Sequence, residues 1–258
     1  WCTMISKENL LKNFANEDKD SVIRIYNNLI LAKNKDIPVF SKNFCSPNIW
    51  SYFVENFNKN DFIVEADGAY DEADRRIISF NNKYFYEYPF ICLKITNKSK
   101  FKNLTHKDYL GSIMSLGIER EKIGDLRVVE DYAVVPVYED IASYIITSME
   151  SVGRCPVKIE IIDKEHLPQS VFEEIVINIP SLRIDNYVSK LANVSRAKAI
   201  ELIQNNKVSV NYCKIKEKSK EVQENNVITI SGVGKFRTGS IVGNTKSGKI
   251  KVVIKNYI

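Results

Sequence analysis

The order of apolar segments between residues 89 and 162 constrains the fold more than any other feature of this sequence. Residues 90–95 (FICLKI) read as a strand. Thr105 precedes a helix over 106–116. Asp108, three residues on, completes a capping-box pattern, and Gly117 is placed to end the helix in the left-handed conformation. Residues 125–129 and 132–135 read as two strands joined at Glu130-Asp131. A helix over 139–149 turns Ile141, Ile145 and Met149 to one side, and 157–161 (VKIEI) alternates as a last strand. The β-α-β-β-α-β order that results is the split ferredoxin-like arrangement, shared by RNA-recognition modules, enzymes and metal carriers. RNA-recognition sheets of this type stack bases on exposed aromatics of their central strands. Only Phe90 and Tyr132 are aromatic here, so stacking in that manner is not expected.

The 88 residues before this segment read as a small mixed α/β domain. Val22, Ile25, Leu29 and Ala32 recur at helical spacing, and Pro38 ends that helix. Pro47-Asn48 opens another, with Ile49, Phe53 and Phe57 on one face. Residues 61–65 read as a strand turned at Asp67-Gly68, 69–78 (AYDEADRRII) as a short helix, and 84–88 as a further apolar segment. After the central domain, a connector over 163–180 contains a strand at 174–179, and Pro180 marks a boundary. The fold class expected is α+β. It comprises an N-terminal mixed α/β domain (1–88), a ferredoxin-like or RRM-like domain (89–180) and a basic C-terminal domain (181–258).

Charge separates that last domain from the rest. Residues 181–258 hold 12 Lys and 3 Arg against 1 Asp and 4 Glu, a surplus of ten positive charges; residues 1–180 hold 22 basic and 27 acidic side chains, a deficit of five. A cationic segment of this size attracts a polyanion, and nucleic acid is the commonest in the cytosol. No apolar stretch approaches the length that spans a bilayer, so no membrane partner is expected, and no secretory signal is read near the start; Met4 reads as a natural first residue. The five cysteines (Cys2, Cys45, Cys92, Cys155 and Cys213) are scattered without CxxC spacing, and His106 and His166 stand 60 residues apart. Neither a disulfide framework nor a metal centre is expected from such spacing, and no cofactor loop is present. The expected location is the cytoplasm, with reduced thiols.

Within the basic domain, Ser181 is placed to cap a helix over 182–192 that buries Ile184, Val188 and Leu191, with Arg183, Tyr187 and Lys190 forming a second stripe one residue back. Ser195 caps a second helix over 196–205, which buries Ala199, Ile200 and Ile203. Residues 207–211 (KVSVN) and 227–230 read as strands, and 241–254 as a hairpin about 246–249 (KSGK). Arg196 and Lys198 occupy the first turn of the second helix. Cations there oppose the macrodipole at a cost of about 0.3–1 kcal/mol each, so their presence makes sense if an anion docks at that end.

Residues 182–185 (LRID), Val188-Ser189, 195–199 (SRAKA), Leu202-Ile203 and 207–211 together resemble the alpha-L RNA-binding motif, the S4 domain, over about residues 181–231. The resemblance implies that Arg183, Ser195, Arg196, Lys198, Lys207 and Asn211 line a face that meets structured RNA. Two positions depart from the motif. Asn206 stands where glycine is usual, a residue type that tolerates the left-handed conformation, and Asn225-Asn226 replaces a Gly-Asp turn. Residues 105–112 (THKDYLGS), 116–125 (LGIEREKIGD), Gly68, Tyr70, Arg75-Arg76 and 231–236 (SGVGKF) are similar to the signature of the bacterial YlmH family of S4-domain proteins, across essentially the whole chain. In that last segment Ser231 and Lys235 stand where the family often has arginine. The family resemblance implies binding to the large ribosomal subunit and peptidyl-tRNA during rescue of stalled complexes, and a genomic link to cell division. Arg120, Lys122, Lys235 and Arg237 are further candidates for accessory RNA contact. Gly111, inside a helix, is read as a close-packing position.

These readings converge on a non-catalytic adaptor for ribosomal RNA or tRNA, expected as a monomer. An RNA-modifying enzyme of the pseudouridine-synthase type also pairs this motif with a catalytic Asp. Here, however, no catalytic domain follows the motif, and Asp185 lies in the motif's own first helix, where it stabilises that end. A scaffold in which the acidic residues 1–180 engage a basic ribosomal protein is the third reading.

Overall fold

The computed structural model describes residues 7–14, 18–99, 103–169 and 172–257; Trp1–Met4, including Cys2, lie outside this range. The chain divides into two compact units, residues 1–168 and 169–258.

The first unit begins with α1 (Lys7–Leu11) and α2 (Lys19–Lys35), followed by β1 (Val39–Phe40), α3 (Pro47–Phe57), β2 (Val64–Asp67) and β3 (Ile77–Phe80). Val22, Ile25, Leu29 and Ala32 are the buried stripe of α2, as their spacing predicts, and Asp36 closes that helix with a left-handed φ of 49°. The three short strands form an antiparallel sheet in the order β1-β3-β2. The strand expected at 61–65 lies three residues later, at β2. The helix expected over 69–78 is not formed. Residues 68–76 make an irregular loop that runs into β3, and long-range partners explain it. Arg75 donates from Nε to Ile123 O at 3.2 Å and from Nη2 to Phe44 O at 3.1 Å. Arg76 donates to Ala73 O and Ala66 O and lies 4.4 Å over the Trp50 ring. Asp125 accepts from the Asp74 and Arg75 backbones. A Cβ at Gly68 would fall 2.4 Å from Arg75 O, so the loop closes over a position that only glycine fills.

The same unit continues with β4 (Phe90–Asn97), α4 (His106–Ser115), β5 (Arg127–Val129), β6 (Tyr132–Tyr138), α5 (Glu139–Ser148), β7 (Ser151–Val152) and β8 (Cys155–Ile162). Its antiparallel sheet runs β5-β6-β4-β8-β7, the ferredoxin-like order with a two-residue edge added. The Thr105–Asp108 capping box is present at the start of α4, and Gly117 has φ 79° beyond its end. Leu93, Ile95, Ala133, Val135 and Val137 point to one face and pack under Tyr109, Ile113, Ala142 and Ile145 of the two helices. Gly111 has open space where a Cβ would sit, so close packing is not its role. Among the described residues no helix is long and apolar enough to cross a membrane.

The second unit comprises β9 (Phe172–Ile179), α6 (Ile184–Leu191), α7 (Arg196–Gln204), β10 (Val208–Val210), β11 (Cys213–Lys214), β12 (Val227–Ile230), β13 (Gly234–Asn244) and β14 (Ile250–Tyr257). Its sheet runs β11-β10-β12-β13-β14-β9. Both helices pack on one face, where Tyr187, Val188, Ala199 and Ile203 meet Val208, Ile228, Phe236 and Ile254. The segment expected to be a connector strand, β9, pairs with β14 along its whole length, from Ile179 opposite Ile250 to Phe172 opposite Tyr257. The hairpin strands β13 and β14 extend past the expected 241–254 for the same reason: each has a partner on both sides.

Candidate nucleic-acid interface

The first helix of the basic unit starts two residues later than expected. Residues 182–184 are held extended against 220–222: Val222 N donates to Leu182 O, and Ile184 N to Lys220 O. Arg183 therefore becomes the N-cap residue of α6, and Ser181 instead accepts from the Asn186 side chain at 2.9 Å. Within the second stripe, Tyr187 is buried beside Ile184 and Val188. Burial pushes its phenol up to about 12.

This start places Asp185 at the centre of a charge cluster. The Asp185 side chain is fully shielded from solvent, yet it accepts from two guanidinium groups. Arg183 donates Nε to Oδ1 at 3.2 Å and Nη2 to Oδ2 at 2.9 Å. Arg196 donates Nε and Nη2 to Oδ2 at 3.0 and 2.9 Å. Burial alone would raise the Asp185 carboxyl; the hydrogen bonds from Arg183 and Arg196 outweigh it and hold the group below the usual carboxylate range. The side chains of Arg183 and Arg196 remain 33% and 57% exposed. One carboxylate thus fixes two forked donors, thirteen residues apart in sequence, whose other edges face water. Such a pair is preset to meet phosphate or base edges.

Arg196 opens α7. Ser195 caps that helix by accepting from Lys198 N at 3.2 Å, as expected, and Lys198 Nζ reaches Glu201 at 2.6 Å. No acidic residue occupies the first turn. Arg183, Ser195, Arg196 and Lys198 therefore gather at one end of the helix pair. Lys207 and Asn211 do not join them: they lie past the other end of α7, about 12 Å of helix away. Lys207 is exposed, and Asn211, at φ 48°, accepts from Val227 N at 2.9 Å, which ties β10 to β12. Asn206 adopts φ 56°, the left-handed conformation anticipated from its replacement of glycine, and Asn225 is left-handed as well at φ 64°.

The accessory candidates have other surroundings. Arg120 donates to the Ile123 and Gly124 carbonyls, and Lys122 pairs with Asp140 at 2.7 Å and lies 4.2 Å over the Tyr138 ring. Lys235 and Arg237 flank the inward-facing Phe236 in β13, so they project from the sheet face opposite α6 and α7. Lys235 lies 5.0 Å over the Tyr212 ring, and Arg237 stands opposite Lys255. They do not extend the Arg183–Arg196 surface.

In the first unit, the sheet face that an RNA-recognition module would leave open is partly covered. Phe90, Cys92 and Val134 are buried against Phe44, Tyr70, Ala73 and Ile77 of the preceding segment. Arg127 lies 3.9 Å over the Tyr70 ring and pairs with the buried Glu72. Tyr132 stays half-buried beneath Lys94. Among the described residues the cysteines are free. Burial pushes the Cys45 thiol to about 12 and the Cys92 thiol to about 11, far from a reactive thiolate at neutral pH. No three His, Cys, Asp or Glu side chains gather as metal ligands among the described residues.

Comparison with known proteins agrees with this architecture. Residues 85–166 match the family described as "Putative RNA-binding domain in YlmH", and residues 182–228 match the S4 domain. The chain is 27% identical over 194 residues to the ribosome-associated protein quality control protein P2 of Bacillus subtilis (strain 168), covering 73% of this chain and 76% of that protein. It is also similar to the solved structure of the cell division protein ylmH from Streptococcus pneumoniae, at 20% identity and a TM-score of 0.48, over 60% of this chain and 97% of that one. The chain thus carries a domain of the kind described for YlmH followed by an S4 domain, and over most of its length it is similar to a relative from B. subtilis.

Proposed function

We propose that this chain is a non-catalytic adaptor that grips structured RNA, ribosomal RNA or tRNA, through the Arg183–Arg196 end of its basic unit. It acts in the cytoplasm on the large ribosomal subunit, in the rescue of stalled complexes. The observation that carries the reading is the buried Asp185, which aims two arginines outward beside an α-helix N-terminus that has no acidic residue in its first turn. Guanidinium forks and free helix N–H groups are the usual partners of phosphate. The B. subtilis relative, named as ribosome-associated, supports the cellular setting. Ser195 and Lys198 are proposed as direct contacts in the same turn; Lys207 contributes a longer-range cation, and Asn211 holds the loop that presents it. Domain limits at residues 88 and 180 are proposed, and the division into two compact units falls between them, after residue 168.

Binding to purified large subunits and to tRNA, measured across a salt series, tests this. Arg196→Ala is expected to weaken binding by about 1–3 kcal/mol, and affinity should fall steeply with salt. Unchanged affinity in that variant, with the fold intact, would overturn the assignment.

A further inference from the structure

The loop between β3 and β4 exposes three consecutive aromatic side chains: Tyr84 at 77%, Phe85 at 80% and Tyr86 at 56% of their full accessible area. Single exposed apolar residues need no explanation, but a contiguous aromatic knob does. The loop is also firmly built. Asn82, itself buried, donates from Nδ2 to Tyr86 O and accepts at Oδ1 from Tyr86 N, both at 2.9 Å. Phe85 N reaches Asn82 O at 3.3 Å, the buried Asn81 donates to Asp36 at 2.8 Å, and the Tyr84 and Tyr86 rings meet edge to face at 6.2 Å. Phe85 has φ 54°, a costly conformation for a bulky side chain and one in which glycine or asparagine would be the stable choice. Strain and exposure at one position, held by buried side-chain hydrogen bonds, describe a pre-organised anchor for a partner.

Charge indicates which partner. A single-stranded RNA platform interleaves its rings with cations that track the backbone. Here the neighbouring cation, Lys83, is paired with Asp36 at 2.9 Å, Glu87 follows the rings, and residues 1–168 carry 25 acidic against 22 basic side chains. From this we infer that Tyr84-Phe85-Tyr86 docks into an apolar pocket on a basic protein, with the acidic flanks meeting its rim. Resting on the reading above, the partner is a protein of the large ribosomal subunit.

The full chain carrying p-benzoylphenylalanine in place of Phe85 is irradiated with purified large subunits, with the same photoprobe at the exposed Lys33 as control. The expected adduct forms from position 85 and not from 33, resists ribonuclease, and maps to a subunit protein. A variant combining Tyr84→Ser, Phe85→Gly and Tyr86→Ser, in which glycine relieves the strained φ, is expected to bind subunits at least fivefold more weakly while its affinity for naked tRNA is unchanged. A ribonuclease-sensitive adduct would mean that the rings stack on RNA and would overturn the inference, as would co-sedimentation with no adduct above the control. Failure to co-sediment at all removes the ribosomal partner, whereas RNA binding is scored separately on naked tRNA.

Discussion

The two units use arginine in opposite ways. In the first, Arg75, Arg76 and Arg120 turn their guanidinium groups on backbone carbonyls, and Arg127 on Glu72. Each closes a loop that lacks regular hydrogen bonding, and burial followed by the neighbouring Arg75 lowers the pKa of Arg120. In the second unit, Arg183 and Arg196 meet one shielded carboxylate and keep their outer edges in water. The same residue type is mortar in one place and a presented ligand-binding group in the other. Exposure and the nature of the acceptor separate the two uses; the count of arginines does not.

Three measurements would break or sharpen that contrast. Arg75→Ala removes two charge-assisted hydrogen bonds to partly buried carbonyls and should lower unfolding free energy by about 2–3 kcal/mol in denaturant titrations. Its affinity for tRNA should not change; a matching loss of affinity in folded protein would dissolve the distinction. Asp185→Ala should cost about 2 kcal/mol of stability, less than a fully buried pair because both arginines reach solvent. Removing an anion from a cationic surface should strengthen RNA binding if long-range charge alone matters. We expect about tenfold weaker binding instead, because the two forks lose their common anchor. The smallest effect is in acid. The depressed Asp185 carboxyl contributes stability that is fully present above the unfolded pKa near 4 and is lost as pH falls through the lower, folded value. The stability gap between the parent and Asp185→Asn should therefore narrow between pH 5 and pH 2, and a constant gap would count against a charged anchor.

Much of this was readable from local sequence. The β-α-β-β-α-β order, the Thr105 capping box, the left-handed Gly117 and Asn206, and the Ser195 cap all depend on residues within a few positions of one another. What was not readable depends on distant partners. Residues 69–78 have helix-forming composition, but Asp125 and Ile123 bind the Asp74 and Arg75 polar groups across about fifty positions, and a loop results. The anchoring role of Asp185 requires an arginine two residues before it and another eleven after it, a relation no periodicity encodes. The aromatic run at 84–86 reads only as an apolar segment; its exposure goes with the Asn82 clasp, which hydropathy does not encode.

The pairing of β9 with β14 sets where this protein can be cut. A fragment beginning at residue 181, where the S4 resemblance starts, would strip the outermost ribbon from the sheet and bare a row of amide and carbonyl groups along Ile250–Tyr257. Such a raw margin recruits other copies edge to edge. Soluble, single-species preparations of the basic half should begin upstream of Phe172, and shorter ones should precipitate or multimerise for reasons unrelated to RNA.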